Sequence, residues 1–144
     1  MDTSISKAEY ETLASFRYLI RRFLHFSEDA AESVGLTPQQ HQALLAIAGF
    51  PGRDYMTISE LAERLQIRHN SAVGLVDRLV AQGLITRGPA PDRRAVHLRL
   101  TAQGEELLRR LTATHREELR RLRPEIYKLL ERLVARPSAG ANNS

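Results

Sequence analysis

The sequence predicts a mainly α fold (α+β): a long helix at each end, a helix-turn-helix between them and a β-hairpin wing behind it. Three observations carry this prediction. Apolar residues recur at steps of three and four over most of the chain. Two short apolar phases, 58–65 and 72–80, meet at a turn, which is the pattern of two helices joined tightly. Behind Gly83 the apolar period drops from that of a helix to the alternation of a strand.

The first helix is read from Tyr10 to Val34, where Leu13, Phe16, Ile20, Phe23, Ala30 and Val34 recur mostly at helical spacing. Gly35 ends it. Thr37-Pro38-Gln39-Gln40 opens a second helix, with Thr37 as cap, Pro38 at the first helical position and Gln40 completing a capping box. Leu44, Leu45, Ile47 and Ala48 form its apolar side, and Gly49-Phe50-Pro51-Gly52 stops it. Thr57-Ile58-Ser59-Glu60 is a second capping box, followed by Leu61, Ala62 and Leu65 on an inward face. The chain must turn at Gln66-Ile67-Arg68, because a new apolar phase runs through Ala72, Leu75, Val76, Leu79 and Val80. Leu84–Arg87 and Val96–Leu100 read as two short strands around the turn-rich Gly88–Arg94. Thr101 caps a long helix with Leu107, Leu108, Leu111, His115, Leu119 and Leu122 on one face. Pro124 is expected to break it, leaving Ile126, Leu129, Leu130, Leu133 and Val134 on a last helix. Residues 136–144 carry no periodicity and are expected to be disordered.

At 144 residues the chain has the length of a single domain, 1–144, and needs no disulfide or metal staple to build a core. It has no cysteine, which excludes thiol catalysis, cysteine-ligated zinc and sensing by thiol oxidation. No stretch has the roughly 20 consecutive apolar residues of a membrane span. The start Met1-Asp2-Thr3-Ser4 lacks the basic and apolar regions of a signal peptide, so a cytoplasmic, nucleoid-associated location with no membrane partner is expected. No nucleophile elbow, phosphate loop or metal-ligand pair with catalytic spacing is present, and no enzymatic activity or cofactor is expected.

The formal net charge is +4, and 19 of the 21 basic residues are arginine. Codon bias accounts for arginine over lysine as readily as function does. It does not account for where the excess lies. Residues 64–99 hold seven arginines (Arg64, Arg68, Arg78, Arg87, Arg93, Arg94 and Arg99) against Asp77 and Asp92, a net +5, and the rest of the chain is near neutral. A basic excess on an element shaped to enter a groove is the electrostatic footprint of nucleic-acid binding.

The motifs resemble the MarR family of winged helix-turn-helix regulators. Ile58–Leu65 resembles that family's first motif helix, and Ser71–Ile85 its recognition helix and first wing strand. Asp92-Arg93-Arg94-Ala95-Val96-His97-Leu98-Arg99-Leu100-Thr101-Ala102-Gln103-Gly104 resembles its wing signature with the aspartate-x-arginine core. The likeness covers about Tyr10 to Val134. It departs at the turn, where Arg68-His69-Asn70 stands in place of the small polar residues common there. The resemblance implies dimerisation helices at 8–35 and 102–135 and a DNA-binding lobe at 37–100.

In such a motif the start of the second helix meets base edges, here Arg68, His69, Asn70 and Ser71, with Val73 and Gly74 on the same outward side. Arginine can pair with guanine and asparagine with adenine, each through two hydrogen bonds. Arg78 either reaches phosphate or pairs with Asp77 or Glu63. The resemblance implies that Arg94 enters the minor groove beside Arg93 while Asp92 braces the loop. It also implies a homodimer on double-stranded DNA with a palindromic operator, and a small aromatic or phenolic acid as effector. Arg17, Tyr18, Arg21, Arg22, His25, His41 and His115 are the polar candidates to hold that effector. The histidine spacing forms no local metal motif. The expected function is a sequence-specific repressor released by a small ligand, the alternative being a ligand-independent activator or architectural DNA-binding protein.

Overall fold

The computed structural model describes residues 3–89 and 96–135. Its elements run α1 (Lys7–Ser33), α2 (Pro38–Ala48), α3 (Ile58–Leu65), α4 (His69–Ala81), β1 (Ile85–Pro89), β2 (Val96–Leu100) and α5 (Ala102–Val134). This is the mainly helical winged fold that the periodicity predicts.

The boundaries follow from local chemistry. Gly35 adopts φ +81°, and the amides of Gly35 and Leu36 return to the Glu32 and Ala31 carbonyls, which closes α1. Both predicted capping boxes form. The Gln40 amide donates to Thr37 Oγ1 and the Thr37 amide to Gln40 Oε1; Glu60 and Thr57 repeat the exchange at α3. Gln66 takes φ +54° as the left-handed residue that turns α3 into α4.

β1 and β2 pair antiparallel, with Ile85 opposite Leu100 and Pro89 opposite Val96. Gly88 and Pro89, expected in the connecting loop, belong to β1. A further backbone bridge joins Met56 to Leu98, so the segment before α3 borders β2.

The chain divides into two compact units, Ser27–His115 and Met1–Phe26 with Arg116–Ser144. The first unit has a continuous core: Leu44 and Ile47 from α2, Leu61 from α3, Leu75, Val76 and Leu79 from α4, Ile85 and Leu98 from the strands, and Leu108 and Leu111 from α5. Val80, read into the α4 apolar phase, is exposed because it lies at the edge of that face. In the second unit Leu19, Leu122 and Leu129 are buried, and Arg22 pairs with Glu125 at 3.5 Å.

One expectation is corrected. Pro124 does not end α5, which runs unbroken to Val134. A proline removes one helical hydrogen bond and crowds the preceding turn. Here the apolar residues on both sides, Leu122 and Leu129, are buried in the same unit, and their packing keeps the helix continuous across it. Among the described residues no helix is long and apolar enough to cross a membrane.

Candidate nucleic-acid interface

Helix α4 owes its position to its buried face. Ala72, Leu75, Val76 and Leu79 are turned inward, which forces the residues between them outward. Arg68, His69, Asn70 and Ser71 at its start are all exposed. Arg68 is the N-cap residue, and its side chain makes no capping hydrogen bond. The first amides of α4 therefore lack an acceptor from the N-cap side chain, a local positive end of the helix dipole beside the Arg68, His69 and Asn70 side chains. Threonines occupy that role at α2, α3 and α5.

Val73 and Gly74 are half-buried on α4, and Arg78 follows one turn later, exposed. A Cβ placed on Gly74 would meet only Arg78 Nη1, at 3.9 Å. Nothing inside the lobe requires a glycine there. Asp77, one of the two acids offered for Arg78, pairs instead with Arg87 of β1 and ties the helix to the hairpin.

Asp92, Arg93 and Arg94 lie outside the described residues. The strands that flank them, 85–89 and 96–100, are held to the lobe from both ends. Thr101 donates its hydroxyl to the Gly83 carbonyl at 2.6 Å and its amide to the Leu84 carbonyl at 3.0 Å, and its Oγ1 accepts from the Gly104 amide at 3.1 Å. One threonine thus ends the hairpin and caps α5.

Within 64–99 two arginines pair with acids, Arg87 with Asp77 and Arg99 with Asp54 at 3.9 Å. Along α5 four arginines meet acids one turn away: Arg109 and Arg110 with Glu106, Arg120 with Glu117, Arg121 with Glu118. The Arg109 and Arg110 guanidiniums hold the Glu106 carboxyl down to about 2. These arginines are neutralised locally, whereas Arg68 at the start of α4 stands in a stretch of sequence without acids from Arg64 to Val76.

The candidate effector residues fall in both units. Arg17, Tyr18, Arg21 and His25 are exposed on α1, and Arg22 lies 5.3 Å from the Tyr18 ring centre. In the other unit His41 and His115 come together, ring centres 4.9 Å apart. His115 Nδ1 is 2.6 Å from the Leu111 carbonyl oxygen and therefore donates to it, leaving Nε2 to accept from the Ser27 hydroxyl at 2.8 Å in the neutral ring. Burial first, and His115 second, push the His41 imidazole below its ordinary range. Among the described residues no three histidine or acidic side chains gather closely enough to hold a metal ion.

Residues 34–95 match the model of the MarR family. That segment contains α2, α3, α4 and β1. Over that segment the chain is similar to the MarR family. The repressor MdtR of Bacillus subtilis (strain 168) is 32% identical over 78 residues, 54% of this chain; the aligned stretch spans about half, 48%, of that relative's length. The crystal structure of the multiple antibiotic-resistance repressor MarR from Listeria monocytogenes 4b F2365 is similar with TM-score 0.64 and 28% identity, over 85% of this chain and 95% of that one. AbsC, a MarR family transcriptional regulator from Streptomyces coelicolor, has the same fold with TM-score 0.71 and 23% identity, over 93% of this chain and 94% of that one.

Several residues of this lobe escaped sequence reasoning. Ser27 gave no signal as the partner of His115, 88 residues away. Arg53, Tyr55 and His97 form ring contacts between distant segments. Only the aromatic and arginine content of 50–55 hinted at them.

Proposed function

We propose that this chain is a sequence-specific, homodimeric DNA-binding transcriptional regulator, a repressor released by a small ligand. The observation that carries the reading is the start of α4: Arg68, His69, Asn70 and Ser71 are exposed, uncapped by the Arg68 side chain and in a stretch of sequence, 64–76, without acids. Exposed amides and an arginine fork are suited to phosphate and guanine, and Asn70 is suited to adenine. Arg93 and Arg94, in the wing signature, would supply minor-groove contacts that respond to groove width. Two copies related by a twofold axis would read a palindrome with half-sites about 10 bp apart.

Selection from a random-sequence duplex library tests this. The expected product is an inverted repeat at that spacing, and Asn70→Ala should broaden the recovered sequence at one position of each half-site. No enriched motif overturns the reading. For ligand release, a panel of aromatic and phenolic acids is titrated against the recovered site. A member that weakens binding and raises Tm supports a ligand-released repressor. Indifference to the panel favours the ligand-independent alternative. The candidates to hold a carboxylate are, each within its own unit, His41 and His115 in one and Arg17, Tyr18, Arg21, Arg22 and His25 in the other.

A further inference from the structure

The segment 50–57 between α2 and α3 lies outside the surface proposed to meet bases, yet it links helix α3 to strand β2 through stacked side chains. Arg53 lies between two rings, its guanidinium carbon 4.0 Å from the Phe50 ring centre and 4.7 Å from that of Tyr55. Arg64 of α3 lies 5.0 Å from the other aromatic, Phe50. On β2, His97 stacks on Tyr55 with ring centres 3.8 Å and planes 18° apart, and Arg99 lies 4.9 Å from the same ring. The side chains form a ladder, Arg64–Phe50–Arg53–Tyr55–His97, with one end on α3 and the other on β2.

Both ends are fastened. Arg53 pairs with Glu60, whose other oxygen accepts from the Thr57 amide at the start of α3. Met56 exchanges two backbone hydrogen bonds with Leu98, at 2.8 and 3.2 Å. Strand alternation then divides the contacts. Met56 and Leu98 are fully buried in the core, while His97 and Arg99 share the opposite face of β2, the face that Tyr55 meets. A two-stranded hairpin is marginal in water, so its orientation depends on such anchors. Cation–π contacts of this kind contribute about 0.5–2 kcal/mol each, so Tyr55, with two arginines and a histidine on it, is the strongest single hold on that face.

We propose that Tyr55 is a positioning residue for DNA binding: it sets the direction of β2 against α3 and so the presentation of the wing that carries Arg93 and Arg94. The inference rests on the DNA-binding reading above.

Four variants of the full chain, Tyr55→Ala, Tyr55→Phe, Arg94→Ala and Tyr55→Ala with Arg94→Ala, are compared on a fluorescein-labelled mixed-sequence duplex at low ionic strength. Hydrogen exchange is followed in parallel without DNA. Tyr55→Ala is expected to weaken binding about fivefold, as the loss of one charged groove contact does, and Tyr55→Phe to bind as the wild type. The double variant should bind no more weakly than Arg94→Ala, because the wing contact is then already lost. Amides of 85–89 and 96–100 should lose protection in Tyr55→Ala while those of 69–81 keep it. Multiplying effects in the double variant, or unchanged strand protection, overturns the proposal. If protection falls in α4 as well, Tyr55→Leu, which keeps apolar bulk without the ring, decides by the same measurements. A wild type that fails to bind the duplex overturns the DNA-binding reading; the strand amides still decide whether Tyr55 orients the wing.

Discussion

Gly74 and His41 carry opposite kinds of information about this molecule. A glycine inside a helix costs about 1 kcal/mol relative to alanine, and at Gly74 the space for a methyl group is free. Gly74→Ala is therefore expected to raise stability in urea by about 0.5–1 kcal/mol. The added methyl lies on the face proposed to approach DNA, so the same variant should lose operator affinity. A gain in both quantities would place DNA elsewhere. His41 is 3% exposed, its Nδ1 has no hydrogen-bond partner among the described residues, and its ring faces His115, Ser27 lying beyond. Its imidazole titrates below the ordinary value because burial, then His115, disfavours the cation. The unfolded chain therefore takes up this proton at a higher pH than the folded one. Stability is whole above the ordinary histidine pKa of about 6.5, falls as pH drops through it, and levels off below the folded pKa. Thermal melts from pH 8 to about pH 5 should show that decline, and His41→Leu should flatten it. An equal slope in the variant would assign the decline to other groups.

At the scale of elements, the junction between hairpin and α5 is the tightest point. A Cβ on Gly104 would stand 2.1 Å from the Leu84 carbonyl oxygen, backbone that Thr101 already holds in place. Gly104→Ala is expected to cost about 3 kcal/mol or more, read as a shift in the urea midpoint with unchanged slope. Gly88→Ala, with nothing within 4 Å, should change stability by less than about 0.5 kcal/mol. These elements were legible from sequence where their signals are local. A capping box needs only four residues, and both form as read. The turn at 66–68 and the strand 96–100 likewise follow from neighbours in the chain. What stayed hidden depends on contacts between distant segments. Pro124 looks like a stop because local chemistry opposes it, and only the burial of Leu122 and Leu129 carries α5 through. The Met56–Leu98 bridge and the Tyr55–His97 stack join residues about 42 apart, which no periodicity reveals. The same holds at the site. Exposure of Arg68–Ser71 follows from the apolar phase of α4, whereas the preference of Asp77 for Arg87 over Arg78 required the fold.

For the molecule as a whole, the unsatisfied quantity is apolar surface. Eleven of the fourteen large exposed apolar side chains among the described residues belong to the unit of residues 1–26 and 116–134: Ile5, Tyr10, Leu13, Tyr18, Ile20 and Leu24 from one end, Leu119, Tyr127, Leu130, Leu133 and Val134 from the other. Scattered exposed leucines need no explanation, but a concentration in one unit marks an interaction surface. Sequence periodicity placed Leu13, Ile20 and Leu119 on the apolar faces of the long helices, and they are exposed at 51%, 37% and 44%. The pattern is thus that of a buried face, and within one chain it is uncovered. In the proposed homodimer a second copy would supply the matching surface in a twofold arrangement, where each copy presents the same patch. Sedimentation at micromolar concentration should give twice the chain mass of 16.3 kDa. Leu13→Glu with Leu130→Glu places four carboxylates in the interface and should halve that mass. Binding to a single half-site would then survive weakly, while preference for the inverted repeat over one half-site would vanish, since each copy contacts one half. A wild type that sediments as a monomer, or a double variant that still distinguishes the full repeat, would separate DNA recognition from this surface.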